Sequence, residues 1–363
     1  MRILFLNRKD ALSRPGGDTV QFLKTSKYLN RLGHQVDFHF GGPPFPFEYD
    51  VFHIFNLQTA QESLNQARYI KQKHAGLIAL STIWFDWEEK TFLRHAFLYT
   101  NNPAIKLCKK ISPSFAWFLY QEAKRFRAAS FRTIAQELLD LTDIILPNSI
   151  LEAQALLRNF KVNGKIEVIP NGVDLEDEIL NPEPVPELPI KDYVLEVGTI
   201  GPHKNQINLA LAVPEEIPLV FVGGIYCKSL YSQEFLKIIK SRKNTYYLGL
   251  IENREKLAWI YLNARVHALP SFRETPGLAS LEAVFFGCNI VTSKCGAQEE
   301  YFGPEAEYCD PCDINSIRKA ILRAWDRPHS DNLRNLIIQK YNWEVAAKKT
   351  EAAYQSILKV NRD

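Results

Sequence analysis

The sequence predicts an α/β protein that contains two doubly wound parallel sheets. Short, almost continuous apolar runs alternate with amphipathic helical segments in both halves of the chain, as expected for strands buried on both faces of a parallel sheet. A segment with four prolines, residues 181–189, interrupts this alternation near the middle. The 363 residues also exceed one typical core, so we expect two domains.

The composition is that of an ordinary globular protein, with 46% hydrophobic and 23% charged residues. A net charge of +3 gives no reason to expect nucleic acid as a partner. No apolar run reaches the roughly 18 residues of a membrane helix, and no secretory signal pattern is visible. The six cysteines are scattered, which favours reduced thiols in a cytoplasmic protein.

The first half begins with a unit of strand, glycine-containing loop, helix and strand. The predicted strands are residues 2–7, 35–40, 50–55, 77–81, 141–147 and 165–169. Gly16 and Gly17 close the loop after the first strand, where backbone N–H groups can approach a phosphate. The loop lacks G-x-G-x-x-G, so the dinucleotide fingerprint is not met, and a turn without a ligand is the alternative.

The second half repeats the alternation. The predicted strands are residues 193–197, 218–222, 245–248 and 266–269, and the predicted helices are 206–212, 232–241 and 255–263. Binding sites of such sheets lie beyond the carboxyl ends of the strands. We therefore expect the loops that follow these strands to carry the chemistry.

Residues 270–290 form the most informative stretch. Pro276 opens a predicted helix over residues 277–286, and Gly287 closes it. The first helical turn leaves N–H groups unpaired, so it can bind a phosphate. Glu274 precedes this turn and Glu282 lies on the helix, so two carboxylates flank the anion and can accept hydrogen bonds from hydroxyls. This pattern predicts a nucleotide-sugar site; the alternative is a surface turn before an ordinary helix.

Glu274-x7-Glu282, within S-F-R-E-T-P-G-L-A-S-L-E-A, resembles the signature of the family 4 retaining glycosyltransferases, which have GT-B architecture. The resemblance implies two Rossmann-like doubly wound domains that face an interdomain cleft. The implied divisions are an acceptor domain at residues 1–180, a linker at 181–192, a donor domain at 193–342 and a C-terminal helix at 343–363 that crosses back to the first domain.

The implied activity is retaining hexosyl transfer from a nucleotide sugar to a saccharide or lipid-linked saccharide, in polysaccharide or glycoconjugate synthesis. The resemblance permits UDP-glucose, UDP-N-acetylglucosamine or GDP-mannose as the donor, and we favour UDP-glucose. No cofactor other than this co-substrate is expected. Because the sequence contains no Asp-x-Asp, we also expect no metal.

The resemblance assigns roles to individual residues. The catalytic candidates are Glu274, which would hold sugar hydroxyls, and Lys204, which would bind the diphosphate; Glu282 would hold the ribose. The full donor-binding set is Gly16, Gly17, Thr199, Lys204, Gly223, Leu250, Ile251, Arg273, Glu274, Pro276, Gly277, Leu278, Ala279 and Glu282. Thr199 stands where the family usually has an arginine, and Arg273 is a candidate substitute.

On the acceptor side, Trp84 stands near the position of a histidine present in many relatives. Asp86 is a candidate for the acceptor hydroxyl, although a structural turn acid is the favoured interpretation. The motif P-N-G-V-D at residues 170–174 also matches the family, and we interpret it as a turn without chemistry.

Residues 90–132 form the least regular and most basic part, with a net charge of +8 and interleaved aromatic side chains. One interpretation is a surface that meets anionic lipid or a lipid-linked acceptor, as a peripheral contact at the inner face of a membrane. The other is a helical pair with its aromatic side chains in a core. The one-sided charge favours the first.

Two other function classes stay open. A nucleotide-sugar-binding protein without transfer activity is suggested by Thr199 and by the missing histidine. A nicotinamide-dependent enzyme would fit the first strand and helix, but the absent G-x-G-x-x-G counts against it.

Overall fold

A computed structural model describes residues 1–42, 48–73, 76–85, 90–179, 181–188, 190–275 and 277–360. The chain divides into two compact units. Unit 1 comprises Met1–Asp86, Arg127–Asp174 and Lys340–Asp363, and unit 2 comprises Trp87–Phe126 and Leu175–Gln339. Each unit contains one six-stranded sheet, and all strand pairs within both sheets are parallel. This α/β architecture is the fold class expected from the sequence.

The sheet of unit 1 has the strand order β2-β1-β3-β4-β5-β6. Its strands are β1 (Arg2–Asn7), β2 (Gln35–Phe40), β3 (Val51–Phe55), β4 (Leu77–Ser81), β5 (Ile144–Ile145) and β6 (Lys165–Ile166). All residues of β3 and β4 are buried, because helices cover both faces of a doubly wound sheet. The direction of the strand order reverses between β1 and β3, which is the switch point of this sheet.

Among the described residues, six helices precede the second sheet. They are α1 (Gly17–Arg31), α2 (Ala60–Lys73), α3 (Lys90–Leu98), α4 (Pro103–Ile111), α5 (Pro113–Asp140) and α6 (Ile150–Asn159), with short 3-10 turns at Leu57–Thr59 and Leu175–Ile179. Residues 90–132, the least regular part of the sequence, are mostly helical, because α3, α4 and α5 account for most of that stretch, as the alternative of a helical pair expected.

The sheet of unit 2 has the strand order β12-β11-β10-β7-β8-β9, so its switch point lies between β7 and β10. Its strands are β7 (Val194–Val197), β8 (Leu219–Val222), β9 (Thr245–Tyr247), β10 (Val266–Leu269), β11 (Asn289–Ser293) and β12 (Glu307–Cys309). Val194 pairs with Val266 and Leu195 with His267 across the switch point. The four strands predicted in this half are confirmed within about one residue at each end.

The remaining helices complete the two units. They are α7 (Gln206–Ala212), α8 (Leu230–Ser241), α9 (Arg254–Leu262), α10 (Leu278–Phe285), α11 (Gln298–Phe302), α12 (Ile314–Asp326), α13 (Asp331–Lys340) and α14 (Trp343–Val360), with a 3-10 turn at Gly303–Glu305. None of the helices in the described ranges combines the length and apolar character needed to cross a bilayer.

Unit 2 differs from the expected donor segment at residues 193–342 because it also contains Trp87–Phe126. Aromatic packing explains this grouping. The ring of His95 on α3 lies 4.4 Å from that of Phe272, and Tyr99 lies 4.8 Å from Tyr231 on α8. Expectations based on chain order alone placed this stretch in the first domain.

The P-N-G-V-D motif and the segment before α14 meet inside unit 1. Val173 donates its N–H to the Tyr341 carbonyl at 2.8 Å, and Trp343 donates to the Val173 carbonyl at 3.1 Å. A Cβ on Gly172 would lie 2.4 Å from the Asn342 backbone, so only glycine fits this close approach. The motif therefore fixes the start of α14.

Asp174, the last residue of that motif, anchors α1. Its carboxylate accepts hydrogen bonds from Lys24 Nζ at 2.6 Å, Lys27 Nζ at 2.9 Å and Tyr28 Oη at 2.6 Å. Burial opposes the charge, but these donors hold the pKa of Asp174 well below its usual value. The structure thus gives Asp174 a structural role.

Candidate functional site

The loops after β7 and β10 carry the candidate site of unit 2. These two neighbouring strands flank the switch point of the sheet, where open α/β sheets bind ligands. Lys204 lies in the loop after β7 and Glu274 in the loop after β10. The sequence placed both residues at strand ends, and the sheet order places those strand ends side by side.

Lys204 and Glu274 form an ion pair. Lys204 Nζ lies 2.8 Å from Oε1 and 2.8 Å from Oε2 of Glu274. The side chains are 17% and 11% exposed, so the pair is largely shielded from water yet reachable from one side. A cation and a carboxylate at this position can meet a phosphate and a hydroxyl, respectively.

The backbone of Glu274 is held by the loop after β11. Glu274 forms a parallel bridge with Gly296. Gly296 has a φ of +153°, and a Cβ there would lie 2.0 Å from the Glu274 carbonyl oxygen. A glycine is therefore required at 296 for Glu274 to take this position.

Glycines also allow the loop after β7 to approach the end of β8. Gly198 donates its N–H to the Val222 carbonyl at 2.9 Å. Gly223 has a φ of +149°, and a Cβ there would lie only 1.9 Å from the Gly198 carbonyl oxygen. Gly223 thus supports the 198–205 loop through the close approach of its backbone.

The side chain of Gln206 forms hydrogen bonds with the backbone of the 198–205 loop. Its Nε2 donates to the Thr199 carbonyl at 3.1 Å, and its Oε1 accepts from the Gly201 N–H at 3.2 Å. Tyr231 Oη donates to the same Oε1 at 3.1 Å. These hydrogen bonds fix the loop that presents Lys204.

Two buried titratable groups lie on the strands beneath the ion pair. Glu196 on β7 accepts one hydrogen bond, from Gln206 Nε2 at 3.1 Å, and burial raises its pKa well above the usual value. His267 on β10 is also fully buried, and burial together with the Lys204 charge lowers its pKa to about 3. Burial therefore disfavours the charged form of both groups, and the ion pair of this edge is the one between Lys204 and Glu274.

The N-terminus of α10 begins next to Glu274. Gly277 has a φ of +75°, and its carbonyl accepts from the N–H groups of Ser280 at 2.8 Å and Leu281 at 3.1 Å. Leu278 and Ala279 occupy the first turn and are partly exposed. The expected position of a helix N-terminus beside Glu274 is confirmed, while Pro276 lies outside the described residues.

Glu282 on α10 is part of a second charged cluster. Arg254 Nη1 donates to Glu282 Oε1 at 2.9 Å, and Tyr261 Oη donates to Oε2 at 3.1 Å. Arg254 also pairs with Asp177. Burial opposes the Arg254 charge, but the two carboxylates raise its pKa above the usual value. The side chain of Glu282 is still 20% exposed, so one edge of the carboxylate stays accessible.

Arg273 takes a buried position. Its side chain is 4% exposed, and its guanidinium carbon lies 4.1 Å from the centre of the Phe92 ring. This location gives no support to the idea that Arg273 replaces the arginine missing at Thr199. Leu250 is 49% exposed after β9, and Ile251 is partly exposed.

In unit 1, Arg8 forms hydrogen bonds across the glycine-containing loop that precedes α1. Gly16 caps α1, which begins at Gly17, and accepts the Thr19 N–H at 3.0 Å. Arg8 donates to Asp18 Oδ2 at 2.8 Å, to Asp10 Oδ1 at 2.7 Å and to the Arg14 carbonyl at 2.7 Å. These contacts tie the loop to Asp18 in the first turn of α1.

Trp84 lies in the core of unit 1 and not at a surface. It is 5% exposed and packs edge-on against Phe160, with ring centroids 5.5 Å apart. This position counts against contact of its ring with an acceptor. The loop expected to meet the acceptor also contains Asp86, which lies outside the described residues.

Glu152 fixes that loop after β4, a role that the sequence analysis missed. Its Oε1 accepts from Thr82 Oγ1 and from the Trp84 N–H at 2.8 Å, and its Oε2 accepts from the Asn148 N–H at 2.8 Å. The residue between them, Ile83, has a φ of +44°, which is strained for a β-branched side chain. The buried carboxylate holds this strained segment in place.

The sequence analysis therefore missed four residues that contact or lie beside the candidate site residues and their loops: Glu152, Glu196, Gln206 and Arg254. Two left a signal in the sequence. An acid inside the apolar run V-L-E-V indicates a buried partner for Glu196, and Ser149-x-x-Glu152 resembles a helix capping box. Gln206 and Arg254 left none, because their partners lie on other elements.

Two family models match the chain almost end to end. The model described as Glycosyltransferase Family 4 matches residues 15–177, and the model described as Glycosyl transferases group 1 matches residues 182–343. The chain belongs to glycosyltransferase family 4. The resemblance carried by Glu274-x7-Glu282 is thereby confirmed.

Solved structures similar to this glycosyltransferase show its fold. Sucrose-phosphate synthase from Thermosynechococcus elongatus matches with a TM-score of 0.74 at 18% identity, covering 99% of each chain. The Anabaena protein HepE, solved in complex with UDP and glucose, matches with a TM-score of 0.68 at 14% identity, covering 98% of this chain and all of that one. These likenesses support two Rossmann-like domains of the GT-B fold.

Among curated relatives, the O-antigen chain mannosyltransferase B of Escherichia coli is 25% identical over 241 residues, which is 60% of this chain and 62% of that protein. The curated relatives that it matches are covered over 26% to 62% of their own length. The similarity thus extends over less than two thirds of each of these proteins.

Proposed function

We propose that this protein transfers a sugar, with retention of configuration, from a nucleoside diphosphate sugar to a saccharide or lipid-linked saccharide acceptor. The observation that carries the proposal is the Lys204–Glu274 ion pair at the switch point of unit 2, beside the N-terminus of α10. A cation, a helix N-terminus and a carboxylate together match a diphosphate that carries a hydroxylated sugar.

In the proposed reaction, the bond between the anomeric carbon and the diphosphate breaks, and the acceptor hydroxyl forms a new bond on the same face. The departing diphosphate takes the acceptor proton. Negative charge grows on the leaving phosphate, where the Lys204 ammonium and the first-turn N–H groups at Leu278 and Ala279 stabilise it. This role needs no metal.

The two carboxylates have separate tasks in this proposal. Glu274 leaves Lys204 when the diphosphate takes its place, and then accepts hydrogen bonds from sugar hydroxyls. Glu282 holds the ribose hydroxyls with its accessible edge, while Arg254 and Tyr261 keep its orientation fixed. The nucleoside base lies near the backbone of Leu250 and Ile251.

UDP-glucose is our proposed donor, supported by the structural neighbour HepE with its bound UDP and glucose. GDP-mannose is the alternative, because the relative in the O-antigen system is a mannosyltransferase. A lipid-linked acceptor would place the enzyme at the inner face of a membrane, in contact through residues 90–132.

Calorimetric titration with UDP, GDP and NAD tests the donor site, and a transfer assay with UDP-glucose and GDP-mannose tests the reaction. We expect one of UDP and GDP to bind and NAD not to bind. Glu274→Gln should retain nucleotide binding but lose transfer by about 10²- to 10³-fold. Transfer should survive EDTA. Binding of neither UDP nor GDP would overturn the proposal.

A binding protein without transfer activity is the second candidate. The observation that favours it is Thr199, which leaves Lys204 without the second cation expected beside a diphosphate. Hydrolysis or transfer of the donor sugar, lost in Lys204→Ala, would exclude this candidate. Tight nucleotide binding with no turnover on any acceptor would support it.

A further inference from the structure

Helices α4 and α5 expose large apolar side chains. Leu107 and Ile111 on α4 are 61% and 79% exposed; Phe115, Phe118 and Phe126 on α5 are 54%, 54% and 80% exposed. Of the four exposed phenylalanines in the described part of the chain, these are three. Single exposed apolar residues are ordinary on a protein surface, whereas a contiguous group indicates an interaction site. We call these five residues the α4–α5 face.

The spacing of these residues places them on one side of each helix. Leu107 and Ile111 are one turn apart, and Phe115, Phe118 and Phe126 fall within a sector of about 100° on α5. The opposite sides are already packed, in a small core formed by Leu93, Ile105, Ala116 and Tyr120. The α4–α5 face is therefore a second apolar surface and not the core face of these helices.

The segment that carries the α4–α5 face is predominantly basic, and two of its exposed cations, Lys110 and Arg125, are adjacent in sequence to residues of the face. Residues 98–126 contain one acid, Glu122, and five basic residues, which are Lys106, Lys109, Lys110, Lys124 and Arg125. Arg125 is 74% exposed next to Phe126, and it pairs with Glu122 at 2.8 Å. Lys110 is exposed beside Ile111. Apolar side chains flanked by cations complement a bilayer with anionic headgroups, because the side chains enter the acyl boundary while the cations stay among the phosphates.

We propose that the α4–α5 face docks on an anionic lipid bilayer, with Ile111, Phe115 and Phe118 inserted at the level of the headgroups. The face belongs to unit 2, the unit that contains Lys204 and Glu274. Helix α3 joins the two regions, since Phe92 lies against Arg273, the neighbour of Glu274, and His95 against Phe272. The unit that carries the donor-site candidates is thus the unit that contacts lipid, rather than the acceptor unit expected from chain order.

Vesicle co-sedimentation of the full chain tests the proposal without any donor or acceptor. One set of vesicles contains phosphatidylcholine alone, and the other adds about 30% phosphatidylglycerol to supply negative surface charge. We expect binding to the anionic vesicles only, with affinity that falls as salt is raised. Phe115→Ser with Phe118→Ser should weaken binding at least tenfold, and Lys110→Gln with Arg125→Gln should remove most of the salt dependence.

A matched control is Leu157→Ser on α6, which removes an equally exposed apolar side chain, 57% exposed, from outside the α4–α5 face. It should leave vesicle binding unchanged. Equal binding to both kinds of vesicle, or full binding by the double serine variant, would overturn the proposal. So would a wild-type dimer that the double serine variant converts to a monomer without lipid, because a second copy would then cover the face. Nucleotide binding is measured separately, so failure here leaves the donor-site proposal intact.

Discussion

Lys204 Nζ is equidistant from the two carboxylate oxygens of Glu274, at 2.8 Å from each, although the residues are 70 positions apart in the chain. The pair joins the ends of the two strands that flank the switch point of unit 2. In the proposed mechanism, a phosphate of the donor takes the place next to the ammonium that the Glu274 carboxylate occupies here. This arrangement fixes the orientation of both side chains.

A double-mutant cycle measures that pairing. Lys204→Met and Glu274→Gln should each destabilise the protein, because each leaves one partly buried charge without its partner. The double variant should lose less stability than the sum of the two, with a coupling of about 1–2 kcal/mol in urea unfolding. Additive losses would contradict the ion pair. Lys237→Met, which removes a cation that is 78% exposed, should change stability by less than about 0.5 kcal/mol.

Arg254→Gln should weaken nucleotide binding about tenfold while turnover at saturating donor stays within about threefold of wild type. Arg254 contacts Glu282 and not the reacting bond in the proposed mechanism, so its loss changes ground-state and transition-state binding equally. Calorimetry and steady-state kinetics give the two values. Arg323→Gln is the control, because it breaks an exposed pair with Glu307 elsewhere in unit 2. Equal effects of the two substitutions would exclude a positioning role for Arg254.

Gly296→Ala should reduce transfer strongly, since its Cβ would collide with the carbonyl oxygen of Glu274 and displace that residue. Gly303→Ala provides the comparison. Gly303 also has positive φ, +51°, but an added Cβ there meets nothing within 4 Å. With ψ at −140° this conformation is one that glycine favours, so the alanine should cost only the backbone strain, about 1–3 kcal/mol of stability, and leave transfer intact. Thermal unfolding and the transfer assay separate the two effects.

Stability should fall as the pH drops below about 6.5, the ordinary histidine pKa, and His53 should account for part of this fall. His53 lies in the core of unit 1, between Tyr354 Oη at 2.6 Å and Ser81 Oγ at 2.9 Å, and burial lowers its pKa to about 3. Between these values the unfolded chain takes up a proton that the folded chain does not, which costs up to about 1.4 kcal/mol per pH unit. His53→Gln should show a shallower slope in urea unfolding from pH 7 to 4; an unchanged slope would contradict the assignment.

Glu152→Gln should destabilise unit 1 by about 2–4 kcal/mol, because a buried amide cannot accept all three hydrogen bonds that the carboxylate accepts. One amide N–H would face a donor from Thr82, Trp84 or Asn148. Glu344→Gln, at an exposed pair with Lys348, is the control and should change stability by less than about 0.5 kcal/mol. Urea unfolding of both variants makes the comparison, and a small effect at Glu152 would mean that the strained loop is held by other contacts.

The sequence predicted the structure best at the end of β10, where the candidate site residue Glu274 lies in the loop that follows the strand. Strand β10, the turn with Glu274 and helix α10 were expected within about one residue of their positions, because proline, glycine and apolar periodicity are local signals. The family resemblance singled out Lys204 and Glu274, and the parallel-sheet rule placed their loops at the same edge of the sheet. The partners of Glu282 could not be predicted, since Arg254 approaches from α9, and helix orientation depends on packing.

Residues 90–132 show the opposite case. High charge and dense aromatics obscured three helices, because the apolar side chains lie on both sides of α4 and α5 and blur the helical period. Trp84 was assigned to the acceptor side by analogy in position, whereas its ring fills the core beside Phe160. The order of residues along the chain predicts neither the three helices nor the buried position of Trp84, because both depend on tertiary packing.

The contact of Val173 with Asn342 has a consequence for the order in which the chain matures on the ribosome. Unit 1 is assembled from three segments, and its last piece, Lys340–Asp363, is synthesised after all of unit 2. The Tyr354 hydroxyl that pairs with His53 therefore arrives only after about 300 further residues have emerged. A domain that is continuous in sequence can fold as it emerges from the ribosome. Unit 1 cannot complete its core until α14 has been synthesised, so one face of that core stays exposed until then. A nascent chain stalled before α14 would present that uncovered face to chaperones, even though every strand of both sheets had already been made.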